Sequence, residues 1–143
     1  MEEQLKLDNQ LCFSLYTASR LITRMYQPYL KEIDLTYLQY IVMLVMWEKE
    51  KIVLKELGKL LYLDSGTLSP LIKKLEKKDL IKKQRSEKDE RVLEVEITQK
   101  GKQLKEKAKD IPFKIAEKTG LTMEQYNSIK TKTDEFIKNN SKV

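Results

Sequence analysis

A single cysteine, Cys12, stands in a chain of 143 residues that also holds seven tyrosines and no histidine. A thiol attacks an electrophile as the thiolate, so its surroundings decide whether it reacts. On an amphipathic helix a lone cysteine is more often inert packing. The company it keeps here is Tyr16, Tyr26 and Tyr37. Tyr16 follows by four residues, which puts it on the same helix face one turn later. Tyr26 follows by fourteen, close to four whole turns, yet that length of helix spans about 21 Å. Cys12 and Tyr26 cannot meet within one straight helix. They can meet across a two-fold dimer in which a second copy of the helix runs antiparallel to the first, and Tyr37 could join them from the next helix. Phenolic hydroxyls that donate hydrogen bonds to sulfur favour its anion without adding a counter-charge. Such a thiolate attacks peroxides, and the apolar neighbours Phe13, Leu15 and Trp47 would favour organic ones. The alternative is that the tyrosines line a dimer core for their area alone.

A second constellation is basic. The net charge is +6, and it is uneven. Residues 1–54 carry six basic and seven acidic side chains, residues 110–143 six and five, and residues 55–109 sixteen and ten. The middle of the chain holds the whole excess, as one surface built for a polyanion would. A solvated lysine-rich face would look similar, since 24 of the 28 basic residues are lysine.

A run of helices must position these groups. Leu7, Leu11, Leu15, Ala18, Ile22 and Met25 recur at helical spacing and predict a first helix over 8–27, interrupted or kinked by Pro28. Thr36 with Gln39 forms a capping-box pattern that opens a second helix to Trp47, apolar nearly all round and hence central. A short third helix is expected over 54–61. Asp64 or Ser65 can cap a fourth to about residue 78, with Pro70 tolerated near its first turn. Segments 80–85 and 92–98 have strand character, and the charged stretch 86–90 between them reads as a hairpin tip. Thr98 can cap a fifth helix over 99–118, interrupted by Pro112, and Thr122 with Gln125 opens a last helix to about residue 138. No repeat, low-complexity tract or linker divides the chain, which reads as one domain.

Helix, helix, helix, hairpin over 37–98 is the order of a winged helix-turn-helix. The turn at 62–64 leads into a recognition helix, SGTLSPLIKKLEKK, for the major groove. Ser65, Thr67 and Ser69 are small hydroxyls able to approach phosphates and base edges; Lys73, Lys74, Lys77 and Lys78 follow on the next turns. Leu68, Leu71, Ile72 and Leu75 form the opposite, buried face. Arg91, one of only four arginines, falls at the hairpin tip, where it could enter a minor groove. Asp89 could orient its guanidinium. Taken alone, the two could equally be a surface ion pair worth little.

The strings YLDSGTLSPLIKKLEKKDLI and RSEKDERVLEVEITQKGK resemble the recognition helix and wing of the MarR family. Asp89-Glu90-Arg91 matches the D-x-R of the wing, and Ile97-Thr98-Gln99-Lys100-Gly101 the closing I-T-x-x-G. The likeness spans nearly the whole chain. It implies a mainly α fold with a small β-hairpin wing and an obligate homodimer that binds double-stranded DNA at an inverted-repeat operator. On that reading 1–143 is a single MarR-type domain: 1–35 and 110–143 dimerise, 36–98 read DNA, and 99–109 begin the connecting helix. Ser65, Thr67, Ser69, Lys73 and Lys74 would contact DNA from the helix, and Arg91, with Asp89, from the wing. NQLCFSLYTASR, Tyr26 and LTYLQYIVMLVMWE further resemble the organic-hydroperoxide-sensing OhrR branch of that family. This implies a repressor whose redox sensor is Cys12, supported by Tyr16, Tyr26 and Tyr37, the latter two reaching across the dimer. Some members of the branch carry a second cysteine that closes an intersubunit disulfide. This chain has none, so its route would be a mixed disulfide with a small cellular thiol. The alternative within the same family is a global or virulence and biofilm regulator under redox or small phenolic ligand control.

Other classes fit poorly. A one-cysteine peroxidase would want a histidine, a second cysteine or a Pro-x-x-x-Thr-x-x-Cys site, and the chain has none, so no enzyme is expected. No cofactor and no metal are expected either, because the ligands would have to be carboxylates and one thiolate. The longest apolar run, 40–47, is far short of the about 18 residues a membrane span needs. The acidic start MEEQLKLDNQ does not read as a secretory signal, and one cysteine allows no intrachain disulfide. A cytoplasmic protein is the expectation.

Overall fold

The computed structural model describes residues 2–141. Two 3-10 turns, Glu3–Leu5 and Leu7–Asn9, precede α1 (Leu11–Glu32). Then come α2 (Tyr37–Lys49), β1 (Lys51–Val53), α3 (Leu54–Leu61) and α4 (Ser65–Lys77). β2 (Ile81–Arg85) and β3 (Leu93–Ile97) form the hairpin, followed by α5 (Gln99–Ala108), α6 (Ile111–Lys118) and α7 (Met123–Asn140). The fold is mainly α with a winged helix-turn-helix at its centre.

The ends of the first helix differ from the sequence expectation, each for a physical reason. It starts at Leu11 rather than Asp8 because polar side chains hold the preceding turns: Asn9 Nδ2 donates to the Glu3 carbonyl at 2.7 Å and Gln10 Nε2 to the Gln4 carbonyl at 2.8 Å. It also runs on through Pro28 to Glu32. Pro28 cannot donate to the Arg24 carbonyl and costs about 3 kcal/mol in a helix interior. Leu30, Ile33 and Leu35 lie buried just beyond it. Each contributes about 1.5–3 kcal/mol on burial, so packing outweighs the broken bond. Pro70 likewise sits in the second turn of α4, beyond the first-turn position expected. It leaves the Gly66 carbonyl without its helical donor, but Gly66 is exposed and water can substitute. Pro112 divides α5 from α6 as read, standing in the first turn of α6.

Caps fall where the sequence put them. Thr36 and Gln39 make both bonds of a capping box on α2, as do Thr122 and Gln125 on α7. Asp64, rather than Ser65, caps α4 by accepting from Thr67 N at 2.8 Å. β1 was not foreseen. It is three residues long and pairs antiparallel with β3, giving a sheet of order β1-β3-β2 in which Ile52 faces Val95 and Ile81 faces Ile97. Three residues offer no alternation to read, and the partner strand lies some forty positions away.

The chain divides into two compact units, one of Met1–Met25 with Asp110–Val143 and one of Tyr26–Lys109. The second unit holds nearly all of the core: Val42, Met43 and Met46 of α2, Leu57 of α3, Ile72 and Leu75 of α4 and Val95 of β3 are all 0% exposed. A tight seam joins the start of α5 to the turn after α4. Thr98 N donates to the Leu80 carbonyl at 3.0 Å and Thr98 Oγ1 to the Asp79 carbonyl at 2.6 Å. Only glycine fits at 101, since a Cβ there would stand 2.3 Å from the Leu80 oxygen and 2.7 Å from Ile97 Cγ1. In the first unit only Ile111 and Ile115 are buried among the described residues. Leu11, Phe13, Leu15 and Leu21 of α1 and Met123, Ile129 and Phe136 of α7 are exposed, leaving two helices with uncovered apolar faces.

Candidate functional site

The DNA-reading elements are built first by α4. Its buried face is Leu68, Leu71, Ile72 and Leu75, and the periodicity that buries them turns Ser65, Thr67, Ser69, Lys73 and Lys74 outward, all exposed. Ser65, Ser69 and Lys73 recur every four residues along one edge of this face. Tyr62 closes α3 in the left-handed region at φ 55°, and its backbone N–H bonds the Lys59 carbonyl, which sharpens the turn into α4.

The wing tip carries Asp89 and Arg91 together. Asp89 Oδ1 accepts from the Arg91 backbone N–H at 3.0 Å and from Arg91 Nε at 3.1 Å, while Asp89 Oδ2 accepts from Nη2 at 3.3 Å. The arginine side chain is nevertheless 91% exposed, so the carboxylate aims it without covering it. The side-chain hydrogen bond from Arg91, then its backbone N–H, hold the Asp89 carboxyl below its ordinary value of 3.8. The tip is stitched further by Arg85 Nη1 to the Glu90 carbonyl at 2.8 Å and by Ser86 N to the Val92 carbonyl at 2.8 Å.

Cys12 is the second residue of α1 and is exposed. Tyr16, one turn on, is also exposed, with the Arg20 guanidinium 4.9 Å from its ring centre. Phe13 and Leu15, flanking in sequence, are exposed as well. Tyr26 and Tyr37 lie in the other unit and stack at 5.3 Å between ring centres, 13° from parallel. The structure therefore joins these two as a pair. Sequence reading did not foresee that Tyr40 adds to them, 5.5 Å from Tyr26, or that Trp47 meets Tyr40 edge-on at 6.3 Å. Trp47 ends the run by donating Nε1–H to the Gly101 carbonyl at 2.9 Å, at the seam behind α4. Burial pushes the Tyr37 phenol above its ordinary value, and it raises Tyr40 too, with the neighbouring Tyr37 adding to the effect. Both are held as neutral hydroxyls able to donate.

One lysine departs from the sequence reading. Lys78 was grouped with the DNA-facing lysines, but it caps the C-terminal end of α4 and turns inward. Its ammonium donates to the Asp34 carbonyl and to Gln39 Oε1 at 2.9 Å, and lies 3.7 Å from the Asp34 carboxylate. Gln39 was legible only as a capping residue, and no local pattern announces its bond to a side chain 39 positions away. Among the described residues no cluster of three or more His, Cys, Asp or Glu could hold a metal ion, and no helix is long and apolar enough to cross a membrane.

Comparison with known proteins agrees with this geometry. A family model described as the transcriptional regulator SarA/Rot matches residues 24–108. The chain is 45% identical over 129 residues to the organic hydroperoxide resistance transcriptional regulator of Bacillus subtilis, covering 88% of each. It is 42% identical over 134 residues to the HTH-type transcriptional regulator SarZ of Staphylococcus aureus, covering 94% of this chain and 90% of that one. Among solved structures it resembles AbfR, a protein of Staphylococcus epidermidis. Reduced AbfR bound to DNA superposes with a TM-score of 0.78 at 36% identity, covering 96% of this chain and 94% of that one. Overoxidised AbfR bound to DNA gives 0.76 at 35% identity, covering 96% of both. The chain belongs to the MarR family of winged-helix transcriptional regulators, in its organic-hydroperoxide-sensing OhrR branch and with a single cysteine.

Proposed function

We propose that this chain is a cytoplasmic homodimeric repressor that binds an inverted-repeat operator when Cys12 is reduced and releases it when Cys12 is converted to a mixed disulfide. The observation that carries the proposal is the exposed thiol on an uncovered apolar helix, with Leu11, Phe13, Leu15 and Tyr16 open around it. A helix so exposed asks for a partner. Segments 1–35 and 110–143 of two copies cover one another, and the stacked Tyr26 and Tyr37 of the partner subunit reach the sulfur. Segment 36–98 reads DNA, with Ser65, Thr67, Ser69, Lys73 and Lys74 in the major groove and Arg91, aimed by Asp89, in the minor groove; 99–109 starts the connection between the two functions.

The chemistry is stoichiometric rather than catalytic. The Cys12 thiolate attacks the peroxide oxygen: the O–O bond breaks, an S–O bond forms, and the alkoxide leaves with a proton as an alcohol. The sulfur is oxidised to a sulfenic acid and the peroxide reduced. A small cellular thiol then attacks that sulfur, water leaves, and a disulfide remains that reductants can reverse. The added bulk displaces Tyr16 or the partner subunit's Tyr26 and Tyr37, α2 shifts, and the two recognition helices lose the spacing of one DNA turn, about 34–36 Å. AbfR supports bulk over oxidation state as the trigger, since that protein in its overoxidised form is still bound to DNA.

A gel shift with the chain's own upstream DNA tests the assignment. Reduced protein should bind, protein treated with cumene hydroperoxide and a small thiol should release, and Cys12→Ser treated identically should stay bound. If the treated wild type also stays bound, Cys12 is packing and the signal lies elsewhere.

A further inference from the structure

Gln39 is the one buried polar side chain of the core, 3% exposed. A buried amide must be satisfied, and its Oε1 accepts twice: from the Thr36 backbone N–H at 3.1 Å, as the capping box of α2, and from Lys78 Nζ at 2.9 Å. Lys78 in turn holds the Asp34 carbonyl and faces its carboxylate, at a turn kept in the left-handed region by Asp34 at φ 54°. Two elements are thereby fastened through one ammonium group. One is the last turn of the DNA-reading helix α4, capped by Lys78 itself. The other is the turn between α1 and α2, where Tyr37 is the residue after Thr36 and stacks on Tyr26. The charge is spent on this contact rather than offered to DNA: the Lys78 side chain is 28% exposed, while Lys73 and Lys74 stand fully on the outer face.

We propose that Lys78 is a positioning residue. It bolts the end of the recognition helix to the turn that carries Tyr37, so that displacement of that turn withdraws α4 from its seat on DNA. The proposal rests on the sensor reading above for the origin of the displacement, but not for the role of the clasp in DNA binding. A rigid body connecting the two sites is the physical warrant for coupling; proximity alone would not be.

The test measures affinity for a labelled duplex of the upstream region by fluorescence anisotropy, at several salt concentrations. The full-length protein is used reduced and again after cumene hydroperoxide with free cysteine. Lys78→Met should lower the reduced-state affinity about tenfold, the scale of one charged hydrogen bond, without changing the salt slope. Its ratio of reduced to thiolated affinity should fall toward one, and Lys78→Arg should restore most of both. Gln39→Met should give a similar loss, and the double variant should be no worse than either alone, because both break one contact. Lys73→Ala, by contrast, should lower the salt slope by about 0.9, as a phosphate contact does, and keep the ratio. A drop of that size in the slope for Lys78→Met would make Lys78 a phosphate contact and overturn the proposal. So would wild-type affinity in Lys78→Met, or additive losses in the double variant. If thiolation fails to release even the wild type, the sensor reading falls, while affinity, slope and additivity still judge the clasp.

Discussion

Replacing Gly101 with alanine sets two effects of opposite sign against each other. In a helix, glycine to alanine gains about 0.8–1.0 kcal/mol of propensity. At this position the new Cβ would lie 2.3 Å from the Leu80 backbone oxygen and 2.7 Å from Ile97 Cγ1. The first of these is backbone and cannot rotate away. The Leu80 carbonyl is also the acceptor for Thr98 N, and the Gly101 carbonyl the acceptor for Trp47 Nε1, so any shift loosens two more bonds. Overpacking of this kind costs about 1–3 kcal/mol, and each strained hydrogen bond about 0.5–1.5. The clash wins, leaving a net loss of about 1–3 kcal/mol, or about 2–10 °C in melting temperature for a chain of this size. Gly58→Ala is the internal comparison. Its Cβ would meet the Leu63 oxygen at 3.1 Å and Leu68 Cδ2 at 3.3 Å, contacts that a few tenths of an ångström relieve. Propensity nearly offsets that, so the change should stay within about 1 kcal/mol. Urea unfolding followed by far-UV circular dichroism reads both. Gly101→Ala as stable as the parent, or no worse than Gly58→Ala, would refute the reasoning.

Ile72 is 0% exposed in the face of α4 that seats it on the core, and Ile72→Ala should cost about 2–5 kcal/mol in the same assay. Asp89→Asn should leave thermal stability unchanged and weaken operator binding, because Arg91 loses the carboxylate that aims it; in the parent this pairing persists above the ordinary carboxyl value of 3.8 and is lost as pH falls through the lowered native value. Tyr37 and Tyr40 titrate above their ordinary 10.0 when folded, so the native state holds protons that the unfolded chain releases. Stability from these groups is full below 10.0 and declines as pH rises from there through the native values, and Tyr40→Phe should flatten that decline in urea titrations at alkaline pH.

What the sequence disclosed and what it hid follow from the range of the interactions. The capping boxes at Thr36 and Thr122 close over three residues, and the buried stripe of α4 repeats within two turns, so both could be read locally. Pro28 could not: its effect was decided by Leu30, Ile33 and Leu35 packing beyond it. β1 owes its existence to β3, which supplies every one of its ladder partners. At the candidate sites the residue types were legible, including the pairing of Asp89 with Arg91, because only two positions separate them. The continuation of the tyrosine pair into Tyr40 and Trp47, and the inward turn of Lys78, depend on helices meeting in space. No spacing in the sequence encodes either.

The central claim is that an adduct on Cys12 releases DNA. Its most direct test follows operator binding and the intact mass of the protein in the same samples as cumene hydroperoxide is added with and without free cysteine. The account predicts that loss of binding tracks the mass of the cysteine mixed disulfide, reverses on reduction, and does not occur in Cys12→Ser. Release with no mass added at Cys12, or full binding by a completely thiolated dimer, would contradict it.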